Sequence, residues 1–287
     1  MENCRIIARL DIKGPNLVKG IHLEGLRVLG KPEDFARYYY EHGADELFYQ
    51  DVVASLYDRN SLSEVITKTA KQIFIPLTVG GGIRNLDDIN TVLRSGADKV
   101  SINTAAIRNP DFIKQASKKY GSSTIVIAIE AIKQPGGEYL AFIDNGREFT
   151  GVEVVSWAQQ VADLGAGEIV ITSVDREGTG TGFDIELTKR VSQAVNIPVI
   201  AHGGAGCLED ISKVIVEGAA DAVACSSVIH YDYIKNHQPD LKGKTEGNTA
   251  FLESGRMFSK IKDCDLVKIK KHLLDNKIPC RPYNGKI

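Results

Sequence analysis

Short apolar runs recur along the chain, with helix-like stretches between them. Eight such runs occupy residues 5–11, 46–51, 75–79, 98–103, 124–130, 168–173, 197–202 and 221–226. Their apolar positions are continuous rather than alternating, which is typical of strands covered on both faces. One helix start is visible at Asn85, which is followed by Asp88, and Gly96 ends that helical pattern. Strands that alternate with helices in this way favour parallel βαβ units.

An internal repeat relates the two halves of the chain. The stretch IPLTVGGGIRNLDDINTVLRSGADKV, from position 75, is echoed by IPVIAHGGAGCLEDISKVIVEGAADAV, from position 197. Each copy places a glycine pair, Gly81-Gly82 or Gly203-Gly204, between a strand and a helix. Two similar four-strand halves predict a single α/β domain over 1–287, a closed (βα)8 TIM barrel. An open doubly wound sheet is the alternative, but it would put the two glycine turns in unlike surroundings.

The segment 233–263 breaks this rhythm. It is polar, contains several turn-forming residues and shows no sustained period. Because it follows the eighth strand, it should emerge at the C-terminal face of the barrel, where active sites of this fold lie. We interpret it as an insertion, either a tolerated surface loop or a lid or partner-docking element.

Composition narrows the class of protein. The 287 residues are 43% hydrophobic and 25% charged, which excludes a membrane protein, a coiled coil and a disordered chain. The formal charge of -2 gives no global field that would attract nucleic acid or an anionic membrane. The five cysteines form no C-x-x-C pair, so we predict neither a disulfide framework nor a metal site, and no cofactor. The short apolar N-terminal run does not resemble a signal peptide, and we expect a cytoplasmic protein.

Both glycine turns are candidate anion sites. Glycines let backbone N–H groups approach an anion, and the following helix N-terminus adds partial positive charge. Polar residues also end the neighbouring strands, as Asn103-Thr104 in the first half and Ser226-Ser227 in the second. A glycine pair alone could simply make a tight turn. Two copies predict a substrate with two phosphate-like ends, or a symmetric relic in which one site is used.

Carboxylates end several of the predicted strands: Asp11, Asp51, Glu130 and, just after the sixth strand, Asp175. Asp11 and Glu130 occupy equivalent positions in the two halves, so they should face each other across the barrel mouth. Opposed carboxylates suit general acid and base catalysis if their environments separate their pKa values. Alternatively, each caps a helix or pairs with Lys19 or Arg176. Of the six histidines, His202 alone, beside the second glycine turn, is expected near a site, and the alternative is a structural histidine.

A set of opposite charges lies at the strand starts, at the other end of the barrel. It consists of Arg5, Glu46, Lys99 and Glu168. A ring of salt bridges that closes the bottom of the core is the default interpretation. A functional role would require something to pass through the ring.

Several motifs together resemble one family, the cyclase (synthase) subunits of imidazole glycerol phosphate synthase. They are RIIARLDIK, LVKG, GADEL, PLTVGGGI, GADKVSINTAA, GAGEIVITSVDREGTGTGFD and GGAG. The likeness covers nearly the whole chain apart from the insertion. It implies a (βα)8 barrel that binds a glutaminase subunit at its N-terminal face. Ammonia would enter through a charged gate and travel up the barrel to a bisphosphorylated substrate.

The resemblance also implies roles for individual residues. The gate would be Arg5, Glu46, Lys99 and Glu168, and the neighbouring Asp98 would contact the glutaminase. Asp11 would be the first catalytic aspartate, and Lys19 the lysine of the substrate loop. Phosphate and substrate contacts would fall on Asp51, Gly82, Asn103, Thr104, Asp175, Gly178, Gly203, Gly204, Ser226 and Ser227.

Three departures from the family pattern cluster around the acceptor site. The second catalytic aspartate is Glu130, the usual cysteine two residues before Asp11 is Arg9, and the usual Asp-Gly-Arg loop is residues 14–16, GPN. An added methylene moves a carboxyl by about an ångström, which can cost about a hundredfold in rate. The gate residues are unchanged. The departures therefore favour a protein that still delivers ammonia but uses a different acceptor substrate.

Two longer stretches, RLDIKGPNLVKGIHLEGLRVLG and YYYEHGADEL, resemble a paralogous branch associated with glycosyl amidation. Its members accompany a second glutaminase and a separate sugar amidotransferase in surface-polysaccharide synthesis. The leading expectation is therefore an ammonia-dependent subunit that helps install an acetamidino group on a phosphorylated sugar. Three alternatives remain. The chain could be the cyclase subunit of histidine biosynthesis, which is a lyase, or a non-catalytic ammonia conduit. A sugar-phosphate isomerase is a more distant alternative.

Overall fold

The computed structural model describes residues 3–54, 62–237, 260–283 and 285. Strands account for much of this structure. In chain order they are β1 (Arg5–Lys13), β2 (Asn16–Ile21), β3 (Glu24–Gly30), β4 (Glu46–Asp51), β5 (Leu77–Gly80), β6 (Lys99–Ile102), β7 (Ile125–Lys133), β8 (Tyr139–Ile143), β9 (Glu148–Glu153), β10 (Glu168–Ser173), β11 (Val199–His202) and β12 (Ala222–Cys225).

Eight of these strands close into a parallel barrel. Their order is β1, β4, β5, β6, β7, β10, β11 and β12, and β12 pairs in turn with β1. Each corresponds to one of the eight apolar runs, and the bounds of β4 and β10 coincide with runs 46–51 and 168–173. The predicted (βα)8 barrel is confirmed, and the open doubly wound sheet is excluded.

Helices lie between successive barrel strands and pack on the outside. In chain order they are α1 (Pro32–Glu41), α2 (Ser63–Ala70), α3 (Leu86–Arg94), α4 (Thr104–Arg108), α5 (Asp111–Tyr120), α6 (Val154–Asp163), α7 (Ile185–Ala194), α8 (Leu208–Val216), α9 (Ser227–His237) and α10 (Leu266–Asp275), with a short 3-10 turn at Ser122–Thr124. No helix within the described ranges is both long and apolar enough to cross a membrane.

The strand residues are apolar on both faces because they supply two separate cores. In β1, Ile6 and Leu10 point outward into the large core between strands and helices, while Ile7 points into the barrel. We call the cluster inside the barrel the apolar interior. It comprises Ile7, Phe48, Val126, Val170, Ile200, Ala222 and Ala224, with Ala128 packed against it.

The internal repeat is visible as two matching helix starts. At the start of α3, the Asp88 Oδ2 atom accepts a hydrogen bond from the Arg84 backbone N–H at 2.9 Å. At the start of α8, Asp210 Oδ2 accepts from the Gly206 N–H at the same distance of 2.9 Å. The predicted helix start at Asn85 is confirmed, since its side chain accepts from two backbone N–H groups of the first turn at 2.9 and 3.0 Å.

Two antiparallel hairpins extend the barrel at its C-terminal face, and the sequence analysis did not anticipate them. One is built on β1 by β2 and β3, and the other on β7 by β8 and β9. The β2–β3 loop is only His22-Leu23, and both residues have positive φ, 53° and 61°. A two-residue loop of this kind is a type I′ turn, which normally carries Asn or Gly and was therefore not recognised here.

The predicted insertion at 233–263 lies largely outside the described residues. Its first five residues, 233–237, continue α9, and residues 260–263 lead toward α10. The Lys262 N–H donates to the Gly206 carbonyl at 2.7 Å, which ties residues 260–263 to the start of α8. A role for the insertion as a lid or docking element therefore stays a prediction.

Candidate functional site

A closed ring of ion pairs occupies the N-terminal end of the barrel. Arg5 Nη1 lies 2.9 Å from Glu46 Oε2 and 3.1 Å from Glu168 Oε1. Lys99 Nζ lies 3.0 Å from each of the same two oxygen atoms. We call these four residues the charged ring. Burial alone would lower the pKa of Arg5, but Glu168 and Glu46 outweigh it and raise that pKa.

The charged ring has two properties that a gate would need. Its two positive and two negative side chains pair with one another at the end of an apolar tube. Directly above it lies the apolar interior, which offers no hydrogen-bonding partner to an ion but would admit a small neutral molecule. Asp98 is exposed at this same end, and its Oδ2 atom accepts from the Leu77 N–H at 2.8 Å.

At the opposite end, a cavity of about 300 Å³ opens beside the first glycine turn. We call it the mouth cavity. Its walls bring together five of the residues that sequence analysis assigned to the site: Asp51, Gly82, Asn103, Thr104 and Glu130. Its deeper wall includes Gln50, Ser101 and Ala128. The size suits a small phosphorylated metabolite more than a macromolecule.

The glycine turn in this cavity has a clear steric reason. Gly81 and Gly82 both have positive φ, 99° and 69°, and a Cβ on Gly81 would lie 2.3 Å from the Asp51 carbonyl oxygen. Glycine therefore lets the turn pass close to β4 and leaves the start of α3 facing the cavity. Backbone N–H groups at such a position can hold an anion.

Glu130 stands half-buried in the wall of the mouth cavity. Its Oε2 atom accepts a hydrogen bond from the Gly146 N–H at 2.7 Å. Burial raises the pKa of Glu130 to about 7, and the Gly146 donor and the positive charge of Arg9 oppose that rise only in part. A carboxyl with this pKa can both give and take a proton near neutral pH.

Asp11 has the opposite environment, within a buried network of charges. Arg9 Nε lies 3.1 Å from Asp11 Oδ1, and Lys19 Nζ lies 3.3 Å from Asp11 Oδ2. Lys19 also pairs with Glu177. Burial would raise the pKa of Asp11, but Arg9 and then Lys19 outweigh it and hold that pKa well below its usual range. Asp11 on β1 and Glu130 on β7 therefore stand in opposite electrostatic environments, which lower the pKa of the first and raise that of the second.

The remaining predicted residues are arranged differently. Gly203 and Gly204 are packed tightly, since a Cβ on either would lie 2.7 Å or less from a backbone oxygen. Ser226 and Ser227 are buried nearby at the end of β12, and the Ser226 hydroxyl donates to the Arg9 carbonyl at 3.0 Å. The glycine turn itself packs against Ser173 and Gly182, and the residues that line the mouth cavity belong to the first turn.

Asp175 and Gly178 lie on the loop after β10. Asp175 is exposed, accepts from the Lys133 N–H at 2.8 Å, and lines a separate open depression of about 760 Å³ rather than the mouth cavity. Gly178 has a positive φ of 71°, and a Cβ there would lie 2.5 Å from the Gly20 carbonyl. Gly178 thus packs this loop against the β2–β3 hairpin, near Lys19.

Sequence reasoning missed several residues that build the mouth. Glu177 accepts from the Leu23 N–H at 2.9 Å as well as pairing with Lys19, so it fixes the β2–β3 hairpin. Asn145 donates to the Leu23 carbonyl at 3.0 Å and joins the two hairpins across the mouth. These contacts link positions more than 120 residues apart. The GTGTGFD motif marked the loop but gave no signal for its contacts.

His202 ends β11, just before the second glycine turn, and lies next to Arg9. It is buried, and its Nδ1 atom lies 3.2 Å from Arg9 Nη1 and 3.1 Å from Thr172 Oγ1. Burial and the charge of Arg9 hold the pKa of His202 well below its usual range, so the ring is neutral and can accept from Arg9. Among the described residues, no group of three or more histidine, cysteine, aspartate or glutamate side chains could hold a metal ion.

Comparison with known proteins gives a consistent match. A family model described as "Histidine biosynthesis protein" matches residues 5–235. The imidazole glycerol phosphate synthase subunit HisF of Legionella pneumophila is 58% identical over 212 residues, 74% of this chain and 100% of that protein. The subunit of the same name from Alkaliphilus metalliredigens (strain QYMF) is 48% identical over 230 residues, 80% of this chain and 91% of that protein. That of Prochlorococcus marinus (strain MIT 9312) is 43% identical over 281 residues, 97% and 98% of the two chains.

These matches correct the leading expectation from the sequence. The assignment to sugar amidation in surface-polysaccharide synthesis is wrong, because the similar proteins carry the name of the imidazole glycerol phosphate synthase subunit. The likeness to the cyclase subunit family is confirmed, whereas the glycosyl amidation branch finds no support. Physically, Glu130 lines the same cavity as Gly82 and Asn103, so the longer side chain keeps the carboxyl beside the first glycine turn.

Proposed function

Because this chain belongs to the histidine biosynthesis protein family, we propose that it is the cyclase subunit of an imidazole glycerol phosphate synthase. The observation that carries the proposal is the 58% identity to the Legionella subunit over the whole length of that protein. The mouth supports it, since the first glycine turn and Glu130 line the mouth cavity and Asp11 ends β1 on the opposite side of the barrel, which suits ring closure on a phosphorylated substrate.

The proposed reaction needs both a proton acceptor and a proton donor. Ammonia nitrogen must lose protons as it forms C–N bonds, and the groups that leave must gain them. Asp11, which is held ionised by Arg9 and Lys19, can act only as an acceptor at neutral pH. Glu130, with a pKa of about 7, can donate and then be reprotonated.

Substrate binding is assigned to the polar residues around the mouth. Gly82, Asn103 and Thr104 would hold one phosphate at the start of α3 and α4, and Asp51 would contact the substrate beside them. Gly203, Gly204, Ser226 and Ser227 would hold the second phosphate on the opposite side. Lys19, Asp175 and Gly178 complete the assignment, and Asp175 would have to turn inward from its exposed position.

A direct assay tests the proposed function. Purified protein is given ammonium salt and the bisphosphorylated aminoimidazole precursor at pH 8.5, and imidazole glycerol phosphate is measured. We expect product with the native chain, and a fall of at least about a hundredfold with Asp11→Asn. The exposed substitution Asp163→Asn on α6 serves as the matched control. A folded native chain that forms no product would refute the proposal.

We also propose that a glutaminase subunit docks at the N-terminal face. Phe74 is 84% exposed there and lines a depression of about 350 Å³ together with Ile73, Leu77 and Asp98. A large exposed aromatic beside a charge is typical of a protein interface. Through this face, ammonia would pass the charged ring and enter the apolar interior. Phe74→Glu should weaken the complex with the glutaminase subunit without changing turnover with ammonium salt, which titration calorimetry and the same assay would show.

A further inference from the structure

Arg9 places a fixed positive charge inside the barrel, where the chain otherwise builds apolar layers. It follows Ile7 on the inward face of β1 and is only 4% exposed. Its guanidinium carbon lies 5.4 Å from the centre of the Phe48 ring, which is part of the apolar interior. The guanidinium therefore lies directly against the upper end of that interior.

Apart from the Phe48 ring on β4, the side-chain contacts of Arg9 lie toward one part of the barrel wall. Its Nε atom donates to Asp11 on β1, and its Nη1 atom lies 3.2 Å from His202 Nδ1 on β11 and 3.5 Å from Thr172 Oγ1 on β10. These partners span β1, β10 and β11, which are joined through β12 around one side of the barrel. On that side, the guanidinium and its acceptors fill the space between the apolar interior and the mouth.

The other side of the barrel has a different arrangement. The mouth cavity reaches down to Ser101 on β6 and Ala128 on β7, and Ala128 packs directly against the apolar interior. Glu130 stands two residues above Ala128 on the same strand and so points to the same inward face. The Ser101 hydroxyl is buried, and it has no hydrogen-bonding partner among the described residues.

We propose that Arg9 is a positioning residue that directs ammonia to the Glu130 side of the mouth. The guanidinium closes the top of the apolar interior along β1, β10 and β11, and leaves the passage beside Ser101 and Ala128 as the way into the mouth cavity. The same side chain holds Asp11 on the opposite side, so ammonia and the ionised carboxylate approach the acceptor from different directions. This inference rests on the function proposed above.

The chemistry of the guanidinium fits this role. A guanidinium has donors but no acceptor, so it cannot take a proton from ammonia. Its planar fork is held by three acceptors and an aromatic face, which restricts its rotamers in a way that a flexible lysine would not match. A neutral, shorter or unbranched side chain would leave open space above Ile7.

The experiment compares two sources of ammonia in the complex with the glutaminase subunit. For each variant, product formed per glutamate released is measured with glutamine, and turnover with ammonium salt is measured separately. We expect about one product per glutamate in the native complex. In Arg9→Met the product formed per glutamate should fall by about tenfold, since misplacing a reacting group by ~1 Å can cost a hundredfold in rate. Turnover with saturating ammonium salt should fall less. Arg9→Lys should restore part of the ratio.

Controls separate this role from a purely structural one. Arg37→Met removes an exposed arginine on α1 and should leave the ratio unchanged. If Arg9→Met does not fold, as judged by its thermal unfolding, Arg9→Gln carries the test because it keeps hydrogen-bonding capacity without the charge. The pH profile of turnover gives a second readout. Loss of Arg9 removes a charge that lowers the pKa of both Asp11 and Glu130, so the acidic limb should move to higher pH.

The outcomes distinguish this inference from the proposed function. A native chain that makes no product from ammonium salt refutes the function. A native chain that is active, together with folded Arg9→Met and Arg9→Gln variants whose ratio matches the native value, overturns the role of Arg9 and leaves the function standing. If product per glutamate and ammonium-driven turnover fall by the same factor, the proposed role of Arg9 is also contradicted. Arg9 would then serve only the chemistry at Asp11.

Discussion

The raised pKa of Glu130 makes the stability of the protein depend on pH in a defined direction. The value in the folded chain is about 7, against 4.5 for the free side chain. Between these two values the unfolded chain releases the Glu130 proton while the folded chain retains it, so the free energy of unfolding falls as pH rises. Below pH 4 the effect is absent, and above about pH 8 it is complete.

The magnitude follows from the difference in proton affinity. Each tenfold change in proton affinity corresponds to about 1.4 kcal/mol in the free energy of unfolding. For a fully buried carboxyl this would give ~3 kcal/mol. Glu130 is half-buried and reaches solvent through the mouth cavity, so screening reduces this to about 2 kcal/mol. Glu130→Gln removes the titrating group but keeps an oxygen that can accept from Gly146. We therefore expect the variant to be about 2 kcal/mol more stable than the native chain at pH 8.5, and equally stable at pH 4.

Equilibrium urea unfolding at pH 4, 6 and 8.5 measures this difference. The matched control is Glu138→Gln, which makes the same change at an exposed position in the turn between β7 and β8. The stability difference of the control should not change with pH. A Glu130→Gln difference that is constant from pH 4 to 8.5 would refute the argument, as would a variant that loses stability at alkaline pH. The same variant should lose cyclase turnover, so a stabilised but inactive protein is the expected result.

Three further predictions concern the charged ring, a helix start and the attachment of the C-terminal helix. Lys99→Met leaves Glu46 and Glu168 with one cation, so product per glutamate in the glutaminase complex should fall while turnover with ammonium salt is kept; equal losses in both assays would contradict a gate. Asn85→Ala removes the cap of α3 and should cost about 1 kcal/mol in urea unfolding. Asp45→Asn leaves Lys270 buried without the carboxylate at 2.7 Å and should cost about 3 kcal/mol, whereas a neutral effect would contradict the pairing.

The barrel and the placement of most site residues could be predicted because their signals are local. A parallel strand buried on both faces is a continuous apolar run, and polar residues at its C-terminal end must lie at the mouth. The two-fold repeat then indicated that the eight strands close into a barrel. This local logic placed Glu130, Asn103 and Gly82 together, and the structure gathers them in one cavity.

The parts that escaped prediction depend on contacts distant in sequence or on unusual turns. Glu177 meets Lys19 across 158 positions, and nothing in either local sequence indicates the partner. The β2–β3 hairpin turns at His22-Leu23, where positive φ values are held by contacts with Glu177 rather than by glycine. Tertiary contacts therefore shape the mouth, while local patterns shape the barrel.

The error about the acceptor came from reading departures from a family one residue at a time. A glutamate in place of aspartate at position 130 has a longer side chain, and the place of its carboxyl depends on what holds that side chain. Here the Gly146 N–H, supplied by the β8–β9 hairpin, donates a hydrogen bond to Glu130 Oε2 at 2.7 Å. Arg9 also departs from the family pattern next to Asp11. Its positive charge pairs with the Asp11 carboxylate, and its Nη1 atom lies within hydrogen-bonding distance of the neutral His202 ring. Both departures have partners within the same mouth, so neither requires a different acceptor.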